Sequence, residues 1–284
     1  MTHQALARWR GLFPQRCPLI GVLHLPALPG SPDWSGELGA VEAFALADTE
    51  AYLAGGAAAL VVENFGDHPF FPERVPAETV AAMARIASRV VERAGRLPVG
   101  INVLRNDGLA ALAVALASGA RFIRVNVLSG VMATDQGLIQ GRAAELMRRR
   151  RLLGAEDVLV LGDVLVKHAL PLAARTMADV VKDTLLRARA DGVIVSGVAT
   201  GSAASPADLA AARQAAGGAP VLLGSGVSSG NATNLCPGCD GVIVASALKE
   251  GGVVSAPVDA ARVRVLRQLL DALPPQATDQ GLVA

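Results

Sequence analysis

A single (β/α)8 TIM barrel, class α/β, is the fold that this 284-residue sequence predicts, and three observations carry the prediction. Short Val-, Ile- and Leu-rich runs of strand length recur eight times along the chain. Ala/Leu/Arg/Glu-rich segments of helical period alternate with them, the pattern of a parallel sheet. No break in composition divides the series, and 52% hydrophobic against 18% charged residues is enough apolar material to bury both faces of that sheet.

The strands are expected at Leu19–Leu23, Ala59–Val62, Pro98–Val103, Phe122–Val127, Val158–Leu161, Gly192–Val195, Pro220–Leu223 and Gly241–Val244. Helical period marks Ala40–Ala54, Ala77–Arg93, Leu109–Ala117, Thr176–Ala190, Pro206–Ala215 and Asp259–Ala272. Gly55-Gly56, Gly95, Gly119, Gly154 and Gly217-Gly218 fall just after helical segments, where a left-handed C-cap returns the chain to the sheet. The first βα turn lacks G-x-G-x-x-G, which argues against an open dinucleotide-binding sheet. The barrel is expected to fill residues 1–273, with 1–17 as an N-terminal extension, and the polar, Pro-containing stretch 274–284 to fray as a tail.

A formal charge of +1 is too balanced for a nucleic-acid field, so a small-molecule partner is expected. The most lipid-like stretch, Gly108–Ala120, has the length of a buried core helix and falls short of the ~20 residues of a membrane span. Met1–Arg16 shows no secretory signal, and three cysteines, an odd count, suit a reducing compartment; a cytoplasmic location is expected. A homo-oligomer is the expected assembly.

Barrel enzymes place their working groups at strand C-termini and in the loops that follow. Here those ends carry polar residues: His24, then Glu63 and Asn64, Asn102, Arg124 with Asn126, and Asp163. Two-residue spacing sends Phe122, Arg124 and Asn126 to one side, into the barrel, and leaves Ile123, Val125 and Val127 for the helices. A buried arginine needs a carboxylate, which Glu63 or Asp163 could supply. An interior ion-pair network would explain these residues structurally. Acid/base chemistry would explain them functionally, with Asp163, Lys167, Glu63 and His24 catalytic and Asn102, Arg124, Asn126, His168, Ser196 and Thr200 against the substrate.

The chain holds only three lysines, Lys167, Lys182 and Lys249, against 23 arginines. An ammonium kept at the loop positions 167 and 249 suggests chemistry that an always-charged guanidinium cannot perform. His24, Glu63, Asp163 and His168 could alternatively hold a divalent metal, although no H-x-x-x-H spacing marks such a site, and no cofactor is expected.

After strand seven comes GSGVSSGN, Gly224–Asn231, and after strand eight VASALKEGG, Val244–Gly252. Gly201, Gly224, Ser225, Gly226, Ala245 and Ser246 form the expected phosphate grip. The glycines admit backbone N–H groups, Ser225 adds a hydroxyl, and Ala245-Ser246 is expected to open a helix whose dipole favours an anion. The loop SGVATGS, Ser196–Ser202, could complete the cradle, whereas the plain alternative is tight βα turns. Cys236-Pro-Gly-Cys239 stands alone as a C-x-x-C and reads as surface thiols, and Arg148–Arg151 as a solvated run, a dipole complement or a contact for an anionic membrane.

Together VLHLPALPGSP from Val22, VENFGDHPF from Val62, GINVLRND from Gly100, RVN from Arg124, DVLVKH from Asp163, SGVATG from Ser196 and GSGV from Gly224 resemble the BtpA/SgcQ family over about Leu19–Leu270. The eighth strand departs from it, with Ala245-Ser246 where members commonly show Gly-Thr. The resemblance implies a barrel of the ribulose-phosphate-binding type and a phosphorylated ligand. One member is linked to photosystem I biogenesis or stability as a peripheral membrane protein. Two functions are therefore expected: an enzyme on a phosphorylated sugar or nucleotide-like molecule (lyase, isomerase, epimerase or glycosidic-bond-cleaving), or an assembly factor using the barrel as a scaffold.

Overall fold

The computed structural model describes residues 2–166, 169–197 and 204–274, with the side chains of Thr2 and His3 excepted. All eight expected runs are strands of one closed parallel barrel: β1 (Leu19–His24), β2 (Ala59–Glu63), β3 (Val99–Asn102), β4 (Phe122–Val125), β7 (Leu159–Val164), β9 (Gly192–Val195), β10 (Val221–Leu223) and β11 (Gly241–Val244), which pairs back onto β1. The interruptions in that numbering are three short strands, β5 (Val131–Thr134), β6 (Gly137–Gln140) and β8 (Ala169–Pro171), which form a separate antiparallel sheet after β4 and β7. Around the barrel lie α2 (Leu38–Gly55), α3 (Ala77–Ala94), α4 (Gly108–Ser118), α5 (Ala143–Leu152), α6 (Met177–Lys182), α7 (Pro206–Ala216), the single turn α8 (Ala232–Leu235) and α9 (Ala260–Asp271). α6 continues as a π-turn over Asp183–Arg187. Left-handed glycines end helices where expected, at Gly56 (φ 82°) and Gly119 (φ 79°), for example.

Alternation along each strand splits the apolar residues into two cores. Leu19, Leu23, Leu60, Val62, Val99, Ile101, Ile123 and Val125 face the helices. Ile20, Val22, Ala59, Val61, Phe122, Leu159, Leu161, Ile194, Leu222 and Ile243 fill the barrel. Register sets the latter in layers: Val22 pairs with Val61, Val61 with Gly100, Gly100 with Phe122 and Phe122 with Leu159. Gly100 is needed there, because a Cβ would sit 2.2 Å from the Phe122 ring.

The extension holds a helix that the sequence reading did not assign, α1 (Thr2–Leu12), and it closes the N-terminal end of the barrel. Trp9 and Phe13, both fully buried, join the interior core, with the Phe13 and Phe122 ring centroids 5.9 Å apart. Arg8 fastens the plug to Asp191 at 2.6 Å. Asp191 also pairs with Arg150 at 3.0 Å, so Arg150 is buried and does not belong to the solvated run expected for Arg148–Arg151.

Lys249, expected as a reactive loop ammonium, is instead a structural tie. It is fully buried, 2.9 Å from both Asp48 Oδ2 and the Ala256 carbonyl. The Cys236 and Cys239 thiols, expected at the surface, are fully buried. Among the described residues no helix is long and apolar enough to cross a membrane.

Candidate functional site

Strand register assembles the mouth. His24 pairs with Glu63, Glu63 with Asn102, and Asn102 with Arg124, so four polar residues on four consecutive strands form the layer directly above Val22, Val61, Gly100 and Phe122. On β4 Arg124, and just past its end Asn126, share the inward side with Phe122, as their spacing predicts. On β7, Asp163 sits two residues beyond Leu161, the register partner of Arg124, and so stands slightly higher at the same face.

Two subclusters result. In the first, Glu63 Oε2 accepts a 2.5 Å bond from Asn102 Nδ2, and Glu63 Oε1 lies 3.4 Å from His24 Nε2. The His24 ring stacks on Phe65, with centroids 4.2 Å apart and planes at 16°. In the second, Asp163 takes Arg124 Nε at 3.2 Å on both oxygens, Arg124 Nη2 at 3.1 Å and Asn126 Nδ2 at 3.0 Å. Burial alone would lower the Arg124 guanidinium, but the facing Asp163 and Glu63 carboxylates outweigh it and hold the group above its ordinary value. Asp163, so occupied by donors, holds Arg124 and Asn126 in place.

Several polar atoms of this layer are left over. Among the described residues, His24 Nδ1, Asn102 Oδ1, Asn126 Oδ1 and Ser196 Oγ are buried without a hydrogen-bond partner. Buried polar groups are ordinarily satisfied, and four such atoms at the ends of four strands point to a ligand that completes them.

Across the mouth a cavity of about 220 Å³ is lined by His24, Glu63, Arg124, Gly224, Ser225, Gly226, Ala245 and Ser246, among others. The structure therefore brings the two expected halves, acid/base and phosphate grip, onto one cavity. Gly224 creates part of that space: a Cβ would lie 2.4 Å from Ile194 Cγ2, 2.7 Å from Ser196 Oγ and 3.3 Å from Arg124 Nη2. Gly226 adopts φ 73°. One detail of the grip, at Ser246, differs from expectation, while Ser225 stands on the cavity wall. Ser225 Oγ accepts the Gly197 N–H at 3.1 Å and so bridges neighbouring loops. Ser246 opens only a three-residue 3-10 turn, Ser246–Leu248, too short for the helix macrodipole expected there.

Lys167, His168, Thr200 and Gly201 lie outside the described residues. Among the described residues no group of three His, Cys, Asp or Glu side chains is arranged to hold a metal ion. Asn64 serves the scaffold: Oδ1 accepts the Leu104 N–H at 2.7 Å, and Nδ2 donates to Asp67 at 2.9 Å, whose other oxygen accepts the Leu28 N–H at 2.7 Å. One network thereby ties the loops after β1, β2 and β3.

Two residues were missed. Phe65, the platform under His24, has no signal before its stacking is seen. Arg105 is 6% exposed, and burial lowers its guanidinium against the opposing pull of Asp163, Asp135 and Glu63. It stands in the Leu104-Arg105-Asn106-Asp107 run, where an arginine among Asn and Asp was the available signal.

The BtpA family model matches residues 15–272. The chain is 50% identical to the photosystem I biogenesis protein BtpA of Synechocystis over 88% of this chain and 87% of that protein. It is 44% identical to an uncharacterized protein of Pyrococcus furiosus, over 90% and 95% of the two chains. In fold it is similar to N-(5'-phosphoribosyl)anthranilate isomerase from Pyrococcus furiosus, with TM-score 0.54, 14% identity and 90% and 100% of the chains covered. A structure titled native KDPGal aligns with TM-score 0.55, 16% identity and coverage of 90% and 95%.

Proposed function

The chain belongs to the BtpA family, and from that membership together with the chemistry of its mouth we propose that it is an enzyme acting on a phosphorylated sugar or nucleotide-like molecule by acid/base catalysis. The observation that carries the reading is the layer His24–Glu63–Asn102–Arg124, of which His24, Glu63 and Arg124 line one cavity together with the Gly224–Gly226 and Ala245–Ser246 loops. Phosphoribosylanthranilate isomerase offers the same frame, although at 14% identity the likeness shows the fold alone.

In this mechanism Glu63 orients the imidazole through Nε2, which leaves Nδ1 to take and return the substrate proton. Asn102 holds Glu63 in turn. Arg124 and Asn126 stabilise the oxyanion or hydroxyl that develops, with Asp163 fixing both donors beforehand. The phosphate sits on the backbone of the two loops, away from the reacting atoms. Lys167 is proposed to share the acid/base work with this dyad. His24→Gln and Glu63→Gln should each abolish turnover of any phosphorylated compound that stabilises the protein while that stabilisation persists. Unchanged turnover in both variants would sink the assignment.

A second reading, an assembly role, is favoured by one surface. Ala133 pairs with both Leu138 and Leu170, so these lie on one outer face of the small sheet, and Leu138, Leu170 and Leu172 are 54%, 73% and 66% exposed. We propose that this face would carry self-association or peripheral membrane contact. Flotation of the purified chain with anionic vesicles separates the readings, because complete absence of lipid binding removes the membrane version.

A further inference from the structure

All three cysteines meet at the N-terminal end of the barrel, opposite the mouth. Cys17 immediately precedes Pro18 and β1, while Cys236 and Cys239 belong to the turn before β11. β1 and β11, the first and last strands, are paired neighbours with Leu19 opposite Val242. Residues 222 positions apart are thereby adjacent: Cys17 Sγ lies 3.8 Å from Cys239 Sγ, and Cys239 Sγ is 3.4 Å from the Cys236 carbonyl. The thiols are buried and no disulfide joins them. Nothing in the acid/base mechanism uses them.

We propose that this trio is a redox-modification site at which a small hydroperoxide converts Cys17 and Cys239 into a disulfide that covalently closes the barrel seam. The 3.8 Å separation has to shorten to the about 2.05 Å of an S–S bond, between segments that lead into paired neighbouring strands. Metal capture by the three thiols is the competing chemistry, but among the described residues the geometry of a metal site is not met.

The third thiol supplies the nucleophile. Hydrogen bonds from Cys17 and Cys239, with the nearby Arg16 guanidinium, hold the Cys236 thiol below its ordinary value and favour its thiolate. Cys17 is raised by its bonds with Cys236 and Cys239 and by burial, and Cys239, against the opposing bond with Cys17, by its bond with Cys236 and by burial. Arg16 is anchored through Nη2 to the Pro237 carbonyl at 3.1 Å, with Nε and Nη1 buried and unpartnered beside the turn. The Cys236 sulfur attacks the peroxide, forming an S–O bond as O–O breaks and an alcohol leaves. A neighbouring thiol then displaces water from the sulfenic acid, and exchange with the third thiol settles the S–S bond across the seam and restores Cys236. In total, two thiols and one hydroperoxide give one disulfide, one alcohol and one water.

The test treats the native full chain with tert-butyl hydroperoxide, quenches with an alkylating reagent under denaturing conditions, and reads intact mass, linked peptides and Tm. The expected result is a fall from three titratable thiols to one, a dithiothreitol-reversible Cys17–Cys239 peptide pair, and a Tm raised by several degrees. Cys236→Ser should slow the reaction at least tenfold without preventing the link under a strong oxidant. The proposal is overturned if all three thiols survive doses that oxidise free cysteine, if the bond joins Cys236 to Cys239 with Cys17 left free, or if only irreversible sulfur acids form.

Discussion

Replacing Asp163 with leucine strands the Arg124 guanidinium, 4% exposed, without the carboxylate that takes Nε and Nη2 at 3.1–3.2 Å. Arg124→Met takes those donors from the carboxylate in the complementary way and leaves Asn126 Nδ2 on it. Breaking a buried pair from one side costs about 3–5 kcal/mol, because the surviving charge stays desolvated. At roughly 2 °C per kcal/mol for a chain of this size, each single variant should melt about 6–10 °C below wild type. The double variant Arg124→Met/Asp163→Leu removes both charges and should return to within about 1 kcal/mol of wild type, or exceed it. The exposed pair Arg89–Glu92 is the control, and its loss should cost less than about 1 kcal/mol. Urea and thermal denaturation followed by circular dichroism measure all four. The decisive comparison adds ligand binding: if the pair serves only the fold, the restored double variant binds as wild type does, whereas here it folds and fails to bind. Single variants losing under about 1 kcal/mol would refute the electrostatic reasoning.

Three further outcomes are expected. Gly224→Ala should close the mouth, since its Cβ would meet Ser196 Oγ at 2.7 Å and Arg124 Nη2 at 3.3 Å; calorimetry with sugar phosphates should show at least a tenfold weaker Kd, and unchanged affinity would remove Gly224 from the site. Trp9→Ala should destabilise by about 3–5 kcal/mol, because the fully buried plug side chain leaves a cavity at the barrel floor; a loss below about 1 kcal/mol would show that α1 is dispensable. Burial pushes Asp67 above its ordinary 3.8, against the opposing donors of Asn64 and Leu28. The folded chain then holds a proton that the unfolded chain releases, so stability falls as pH rises from 3.8 through the raised value. Asp67→Asn should flatten that part of a urea-denaturation pH series, and an unaltered slope would contradict the assignment.

The barrel was legible because every strand is buried on both faces and so advertises itself as an apolar run, with a left-handed glycine punctuating many of the helices. The layer of His24, Glu63, Asn102 and Arg124 was legible for the related reason that a polar residue at the inward position of such a run has no place in a packed core. The need of Arg124 for Glu63 or Asp163 was legible, and Asp163 meets it, but the choice between them and the His24–Glu63 dyad were not, because they depend on inter-strand register, which a single strand's pattern leaves open. The small sheet escaped notice since its strands are three or four residues long and expose leucines, against the usual rule of alternation. Lys249 and the cysteines were misplaced for one reason. Their partners Asp48 and Cys17 lie about 200 residues away, and no local composition reports a contact of that range.

The most direct test of the central claim is a thermal-shift series in which phosphorylated sugars and nucleotides are each paired with the unphosphorylated counterpart. A ligand present at about a hundred times its Kd adds about 2.7 kcal/mol to the folded state, which here amounts to roughly 5 °C. The account predicts such a rise for at least one phosphorylated compound, none for its counterpart, and loss of the rise in Gly224→Ala. Equal shifts for both members of every pair, or no shift at millimolar concentration across the series, would contradict it.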